Sequence, residues 1–177
     1  NKKLKVKDGV LYTYNMKGLI AYPNLRKNST YTVPSTVSYA YGAFGSAPAL
    51  KKLTLNKNIS EIAPDDIDKQ ILVNLTSISV ASGNRYLKVK DGVLYSHDMS
   101  KIHLYPNGKK DTKYSVPSTV TDLSKGMGAN KNLKTIIIGK NVAKLFCIDN
   151  EKILPNLTSI QVNSGNPQYI SYKGVLY

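Results

Sequence analysis

Short apolar–polar alternations set the frame of this chain. Leu4-Lys5-Val6-Lys7 and Val10-Leu11-Tyr12 flank Asp8-Gly9. Alternation of this kind puts successive side chains on opposite faces of a strand. Asp-Gly tolerates the positive φ angles of a two-residue type I′ turn, so the stretch predicts a hairpin. The same nine residues return letter for letter at 87–95, which places Leu87 83 residues after Leu4. A worn copy, Tyr169-Ile170-Ser171-Tyr172-Lys173-Gly174-Val175-Leu176-Tyr177, follows with Gly174 82 residues after Gly92. Past the first hairpin, Asn15-Met16-Lys17-Gly18 reads as a turn and Leu19-Ile20-Ala21-Tyr22 as a third strand stopped by Pro23. The second copy matches, with a turn at His97-Asp98-Met99-Ser100 and a strand Ile102-His103-Leu104-Tyr105 before Pro106. Each unit thus opens on a three-stranded meander.

A finer period fills the rest of each unit. The form Leu-x-x-apolar-x-apolar recurs as Leu50-Lys51-Lys52-Leu53-Thr54-Leu55 and Leu75-Thr76-Ser77-Ile78-Ser79-Val80. Val33, Leu55 and Val80 step by 22 and 25 residues, and Val116, Ile138 and Val162 step by 22 and 24. Steps of 20–29 residues with this form predict a leucine-rich-repeat solenoid, one coil per step. The inward positions are Val33, Leu53, Leu55, Ile78, Val80, Val116, Ile136, Ile138, Ile160 and Val162. The return segments 38–49, 60–74, 121–132 and 143–156 are rich in Gly, Ala, Asp and Asn. They are expected to form turns and short helical turns on the far side. Pro64-Asp65-Asp66-Ile67 has the form of a helix start, and 145–153 is its counterpart. The expected fold is a β-rich α/β solenoid. It forms one repeat domain over 1–177, with units 4–86 and 87–168 and a partial unit 169–177. The chain opens on Asn1 and stops within the third hairpin, and so reads as a piece of a longer protein.

These residues resemble the BspA-type leucine-rich repeat family of bacterial surface proteins. The family's coil runs aliphatic-Pro-Ser-x-Val, then Ala-Phe, then the leucine form. Val33-Pro34-Ser35-Thr36-Val37, Ala43-Phe44 and 50–55 fit it, as do Val116-Pro117-Ser118-Thr119-Val120 and Leu133-Lys134-Thr135-Ile136-Ile137-Ile138. The Asp-Gly-Val-Leu-Tyr hairpin is a recurrent insertion in that family. The chain departs from the pattern at Met127, which replaces the second Phe, and at Ala47 and Asn130, where the family often has Cys. The resemblance implies a bacterial secreted or cell-surface protein, and some members bind host matrix proteins.

Charge and chemistry change this picture little. The net charge is +14, and every basic residue except Arg26 and Arg85 is Lys. Dispersed lysines guard sheet edges and solvate a surface. Nucleic-acid readers instead use arginine forks with clustered aromatics, so nucleic acid is not an expected partner. Lysine charge could also attract polyanions. No run of apolar residues is long enough to span a membrane. The single cysteine, Cys147, rules out an internal disulfide framework. His97 and His103 stand apart from any ligand set, Asp65, Asp66 and Asp68 lack a calcium-loop pattern, and no nucleotide or hydrolase motif is present. No catalytic activity, metal or cofactor is expected. Asn28, Asn58, Asn74 and Asn156 begin Asn-x-Ser/Thr sequences and read as turn residues. Tyr12 with Tyr95 and Tyr177, Tyr22 with Tyr105, and Tyr31 with Tyr114 recur, which predicts buried rings with wet hydroxyls.

The residues between the inward positions should form the outer face of the sheet. In the first unit they are Thr32, Lys52, Thr54, Ser77 and Ser79; in the second, Ser115, Thr135, Ile137, Ser159 and Gln161. The reading is a non-enzymatic, monomeric adhesion or binding module acting through an extended concave sheet face. Host matrix proteins, glycans or cell-wall polymers are its expected partners. A structural stalk and a lysine-driven binder of anionic polymers are the alternatives.

Overall fold

The computed structural model describes residues 2–40, 42–62, 71–145 and 153–177. In chain order, β1 (Leu4–Lys7), β2 (Val10–Thr13) and β3 (Leu19–Ala21) form the first meander; β4 (Thr30–Thr32), β5 (Lys52–Leu55) and β6 (Ser77–Val80) follow. The second unit repeats them as β7 (Leu87–Lys90), β8 (Val93–Ser96), β9 (Ile102–Leu104), β10 (Lys113–Ser115), β11 (Asp122–Leu123), β12 (Thr135–Ile138), β13 (Lys144–Leu145) and β14 (Ser159–Val162). β15 (Ser171–Tyr172) and β16 (Val175–Leu176) make the third hairpin.

The hairpins form as the Asp-Gly pairs predict. Lys7 faces Val10 and Lys90 faces Val93 across two-residue turns. Asp8 and Gly9 have φ of 49° and 72°, and Asp91 and Gly92 have 51° and 74°, the double positive φ of a type I′ turn. The next turn is capped by side chains. In the second meander Asp98 Oδ1 accepts from the Ser96 and Ser100 hydroxyls and the Ser100 N–H at 2.6, 2.9 and 3.0 Å. In the first, Asn15 Oδ1 accepts from the Thr13 hydroxyl and the Lys17 N–H. Met16 and Met99 take the left-handed position in the two turns.

The leucine forms pair as parallel strands, in the orders β4-β5-β6 and β10-β12-β14. Val33, Leu53, Leu55, Ile78, Val116, Ile136 and Ile138 are buried as predicted. Val80, Ile160 and Val162, on β6 and β14, are half-buried.

The short helical turns expected on the far side are not found: no described residue is helical. The fold is a β-solenoid rather than an α/β one. Where described, the return backbone runs alongside its neighbours and bonds to them. Leu19 N–H donates to the Tyr39 carbonyl, Tyr22 N–H to Ala43 and Ala40 N–H to Glu61. β11 and β13 pair in parallel, and Lys101 and Tyr105 bridge to Asp122 and Met127. Groups that a helix would pair within itself are paired sideways, so no backbone group needs the local ring. The approach is close at Gly126, whose carbonyl accepts from Tyr105 N–H. A Cβ there would collide with the Ile102 carbonyl. The expected helix start at 64–67, the acids Asp65, Asp66 and Asp68, Cys147 and most of 145–153 lie outside the described residues.

Coils are joined by asparagine side chains. Asn56 Nδ2 donates to the Pro34 and Val37 carbonyls of the preceding coil at 2.6 and 2.9 Å. Its Oδ1 accepts from the Asn58 and Ile59 N–H groups. Asn84 does the same between Asn56 and Ile59 behind it and Tyr86 and Leu87 in its own turn. Asn130 joins the Pro106 and Lys109 carbonyls to the Asn132 and Leu133 N–H groups, and Asn166 joins Gly139 and Val142 to Gln168 and Tyr169. Each amide thus makes four hydrogen bonds. A second set on the surface makes one bond per residue. Asn58, Asn74, Asn132, Asn141 and Asn156 each donate to one carbonyl of the preceding coil. Three of the four Asn-x-Ser/Thr asparagines are in this set, which fits their reading as turn residues.

The second meander is wedged between two cores. Leu87, Leu94 and Leu104 belong to the core of the first unit, and Val93, Tyr95, Met99, Ile102 and Tyr105 to that of the second. Tyrosine pairs tie each meander to the strand after it: Tyr12 to Tyr31 and Tyr95 to Tyr114, hydroxyl to hydroxyl at 2.6 and 2.7 Å. Tyr22 stacks on Tyr31, and Tyr105 on Tyr114, at 4.9 Å between ring centres. The rings of Tyr12, Tyr22, Tyr95, Tyr105 and Tyr114 are buried as expected and that of Tyr31 is half-buried, but the Tyr95–Tyr114 hydroxyl pair is buried rather than wet. The hydroxyls of Tyr22 and Tyr105 are buried without a protein partner among the described residues. Burial raises the pKa of Tyr31, Tyr95, Tyr105 and Tyr114 above the ordinary phenol value, so all four stay neutral. Tyr177, the third recurrent tyrosine, is exposed.

Asn130→Asp keeps shape and acceptor but removes both donors and places a carboxylate against two carbonyls. It should cost about 2–4 kcal/mol, lowering Tm by about 5–15 °C. Asn141→Asp, at an exposed single bond, should cost under about 1 kcal/mol by the same thermal melt.

Acid sensitivity has a histidine source and a carboxylate source, the latter shared by Asp98 and by Asp122, whose pKa, though burial raises it, is held low by the Ser124 hydrogen bonds. Burial lowers the pKa of half-buried His103 below its ordinary 6.5, with Glu61 partly opposing. The unfolded chain therefore takes the proton first, and stability falls as pH drops from 6.5 toward the lower folded value. His103→Gln should flatten the Tm–pH curve in that window. The Ser96 and Ser100 hydrogen bonds lower Asp98 from 3.8 to about 2. Its contribution is present above 3.8 and is lost as pH falls toward 2; Asp98→Asn should reduce that second slope, to which Asp122 also contributes, and leave the first.

Candidate functional site

The outer faces of the two parallel sheets are built by register. Thr30, Lys52 and Ser77 are aligned across β4, β5 and β6, and Thr32, Thr54 and Ser79 form the next row. Ser79 Oγ donates to Thr54 Oγ1 at 3.1 Å, so part of this row is a bonded hydroxyl ladder. In the second unit Lys113, Thr135 and Ser159 align, and beside them Ser115, Ile137 and Gln161. Thr54, Thr135, Ile137 and Ser159 are half-buried, and the other six predicted face residues are exposed. Alternation forces this placement, since the neighbours Leu53, Leu55, Ile136 and Ile138 point into the core.

The structure brings each set of five together but does not join the sets. The two sheets are separate, with β7 and β8 packed beside β6. The expected single extended face is thus two patches of three strands. Sequence reading also missed Thr30 and Lys113, both exposed, which start the first row of each patch. Continuing the alternation two residues back from Thr32 and Ser115 would have found them. The second patch has a neighbour on its far edge. Gly174 carbonyl accepts from Ile160 N–H at 2.8 Å, and Ser171 Oγ from Val162 N–H at 2.9 Å.

A cleft of about 340 Å³ lies where the units meet, lined by Asn74, Asn107, Lys110, Lys131 and Asn132 among others. Asn107 Nδ2 donates to the Ile71 carbonyl, while its buried Oδ1 has no partner among the described residues. Asn74 and Asn132 have committed their amides to the preceding coil, so the cleft's charge comes from the two lysines.

The histidines take no part in either place. His97 is exposed on its turn, and its N–H donates to the Tyr86 carbonyl. Among the described residues no three His, Cys, Asp or Glu side chains converge to hold a metal ion. What the patches offer is hydroxyl hydrogen bonding, a lysine on each and one aliphatic surface at Ile137.

No family model matches the chain, and no curated protein matches it. Among solved structures it is similar to a leucine-rich cell surface protein from Faecalibacterium prausnitzii A2-165. The TM-score is 0.51 at 16% identity, over 93% of this chain and 40% of that one. It is also similar to the pneumococcal vaccine antigen PcpA (TM-score 0.43, 15% identity, 93% and 60% covered). A leucine-rich repeat protein from Eubacterium ventriosum ATCC 27560 gives 0.36, 16%, 94% and 78%. The chain spans well under half the length of the Faecalibacterium protein, and that likeness shows the fold: a leucine-rich repeat solenoid.

Proposed function

We propose that this chain is a non-enzymatic interaction module of a bacterial cell-surface protein, and that it binds through its two outer sheet patches. The observation that carries the reading is the pair of open polar faces, Thr32-Thr54-Ser79 with Lys52 and Ser77, and Ser115-Ile137-Gln161 with Thr135 and Ser159. Solenoids commonly use such surfaces for partners. The surface setting is drawn from the Faecalibacterium protein, which shares the fold and is described as a cell surface protein. Matrix proteins, glycans and wall polymers present the hydroxyl, amide and anionic groups that Thr, Ser and Lys recognise. The patches lack the aromatic and arginine anchors of tight interfaces. Binding per unit is therefore weak, and strength comes from many units acting together.

A spacer role is the second reading. The four-bond asparagine clamps at Asn56, Asn84, Asn130 and Asn166 support it, because they would stiffen a repeat array.

Titration of the chain against immobilised matrix proteins and anionic glycans tests the proposal. We expect Kd near or above about 1 μM, which is about −8.2 kcal/mol, and at least about tenfold weakening by Thr54→Arg with Ser79→Arg. Nanomolar binding indifferent to both changes would remove the patches from the function. A steep fall in binding between about 50 and 200 mM salt would instead assign it to dispersed lysine charge.

A further inference from the structure

The cleft where the units meet gathers chemistry that the repeat itself does not carry. Its volume of about 340 Å³ is within the range of small-ligand sites. Lys110 and Lys131 both line it, and both are exposed. Among the described residues neither makes an ion pair, and no carboxylate lines the cleft. Asp111, next in sequence to Lys110, is held by Lys109 at 2.7 Å. Two cations thus share one cavity without a counter-charge.

The cleft also holds two acceptors whose orientation is fixed. Asn74 Nδ2 donates to the Pro48 carbonyl and Asn132 Nδ2 to the Lys109 carbonyl, at 2.8 and 2.9 Å. A carbonyl only accepts, so each amide must turn its nitrogen to the chain and its Oδ1 the other way. Neither Oδ1 has a partner among the described residues. Gly108 lets the walls come this close. Its N–H donates to the Leu75 carbonyl at 2.8 Å, and a Cβ there would lie 2.6 Å from the Asn74 carbonyl oxygen. These residues belong to the junction rather than to the repeat. At the matching places in the first unit, Gly108, Lys131 and Asn132 are replaced by Leu25, Pro48 and Ala49, and only Lys110 has its counterpart, Lys27.

We propose that this cleft is a binding site for an acidic sugar. Its acid group pairs with Lys110 and Lys131, and its hydroxyls donate to Asn74 Oδ1 and Asn132 Oδ1. A bare anion would leave both acceptors unused, and a neutral sugar would leave both cations unpaired. Hydrogen bonds to a charged group are the stronger ones, so the acid anchors and the hydroxyls select. The net charge of +14 draws such a ligand toward the chain. The site is separate from the two sheet patches and does not need them. A sugar carboxylate and a sugar phosphate share this chemistry, and the titration below separates them.

The test is titration of the isotope-labelled whole chain with glucuronate, glucose phosphate, glucose and inorganic phosphate at constant ionic strength, followed by amide chemical shifts. The expected result is saturable shifts at Gly108, Ala129 and Lys131, with Kd of about 0.1–10 mM for the better acidic sugar. Glucose and inorganic phosphate should each bind at least about tenfold more weakly. The acidic sugar that binds tighter identifies the acid group. Lys110→Gln with Lys131→Gln, at exposed positions, should keep the Tm and weaken that binding at least about tenfold. Lys51→Gln with Lys57→Gln removes the same charge elsewhere and should leave it within about twofold. Ala129→Leu fills the cleft and should abolish binding. No saturable shift at these amides with either acidic sugar overturns the proposal. So does inorganic phosphate binding as tightly as the sugars, and so does equal loss from the two lysine pairs, which would assign binding to dispersed charge.

Discussion

The structure depends on the carbonyl groups left at the corners of each coil. A parallel strand pair satisfies the backbone along its length, but the chain must then turn, and the turn exposes acceptors along the solenoid axis. A buried unpaired carbonyl is costly. Here Asn56, Asn84, Asn130 and Asn166 answer that need, each giving two donors backward and two acceptors to its own turn. The two units place one clamp alike, Asn84 and Asn166 each following Ser-Gly after the last strand, and the other differently. Asn56 follows its strand, while Gly139 stands at the matching place in the second unit. Asn130 precedes its strand, while Ala47 stands at the match in the first. Either end of the strand can carry the clamp, provided the coil behind is held.

The meanders impose the second constraint. An inserted sheet between coils would leave two apolar faces and a gap in the solenoid. The second meander closes the gap by burying leucines in one core and tyrosines and isoleucine in the next. Hydroxyl-to-hydroxyl pairs at Tyr12–Tyr31 and Tyr95–Tyr114 join meander to coil inside the protein, where one phenol donates and the other accepts. The same insertion splits the parallel strands into two sheets. Two short patches thus stand in place of one long face.

Much of this architecture was written in local chemistry. The Asp-Gly turns, the strands on either side and the inward residues Leu53, Leu55, Ile136 and Ile138 follow from turn geometry and side-chain alternation among near neighbours. The outward residues follow from the same alternation, and the 83-residue period from the recurrence of residues 4–12 at 87–95. Return segments were harder. Gly, Ala and Asn without a helical period suggested local turns and short helices, yet the backbone there, at residues such as Tyr39 and Asp122, pairs sideways with Gly18 and Lys101 of the preceding meanders.

The sequence by itself determined the hairpins and the two faces of each strand, because these depend on residues a few positions apart, and the coil period, because the same form recurs along the chain. Only the tertiary structure decided which asparagines are clamps and which are surface turn residues, since both kinds sit in similar local sequences. It alone decided that the hydroxyls of Tyr12 and Tyr31, and of Tyr95 and Tyr114, meet each other. It also decided that Leu87 and Leu94 are buried while Leu4 and Leu11, in the same nine residues, are not. The physical reason is common to all three: burial and lateral hydrogen bonding are set by the neighbouring coil, which reaches each residue across twenty or more positions of chain.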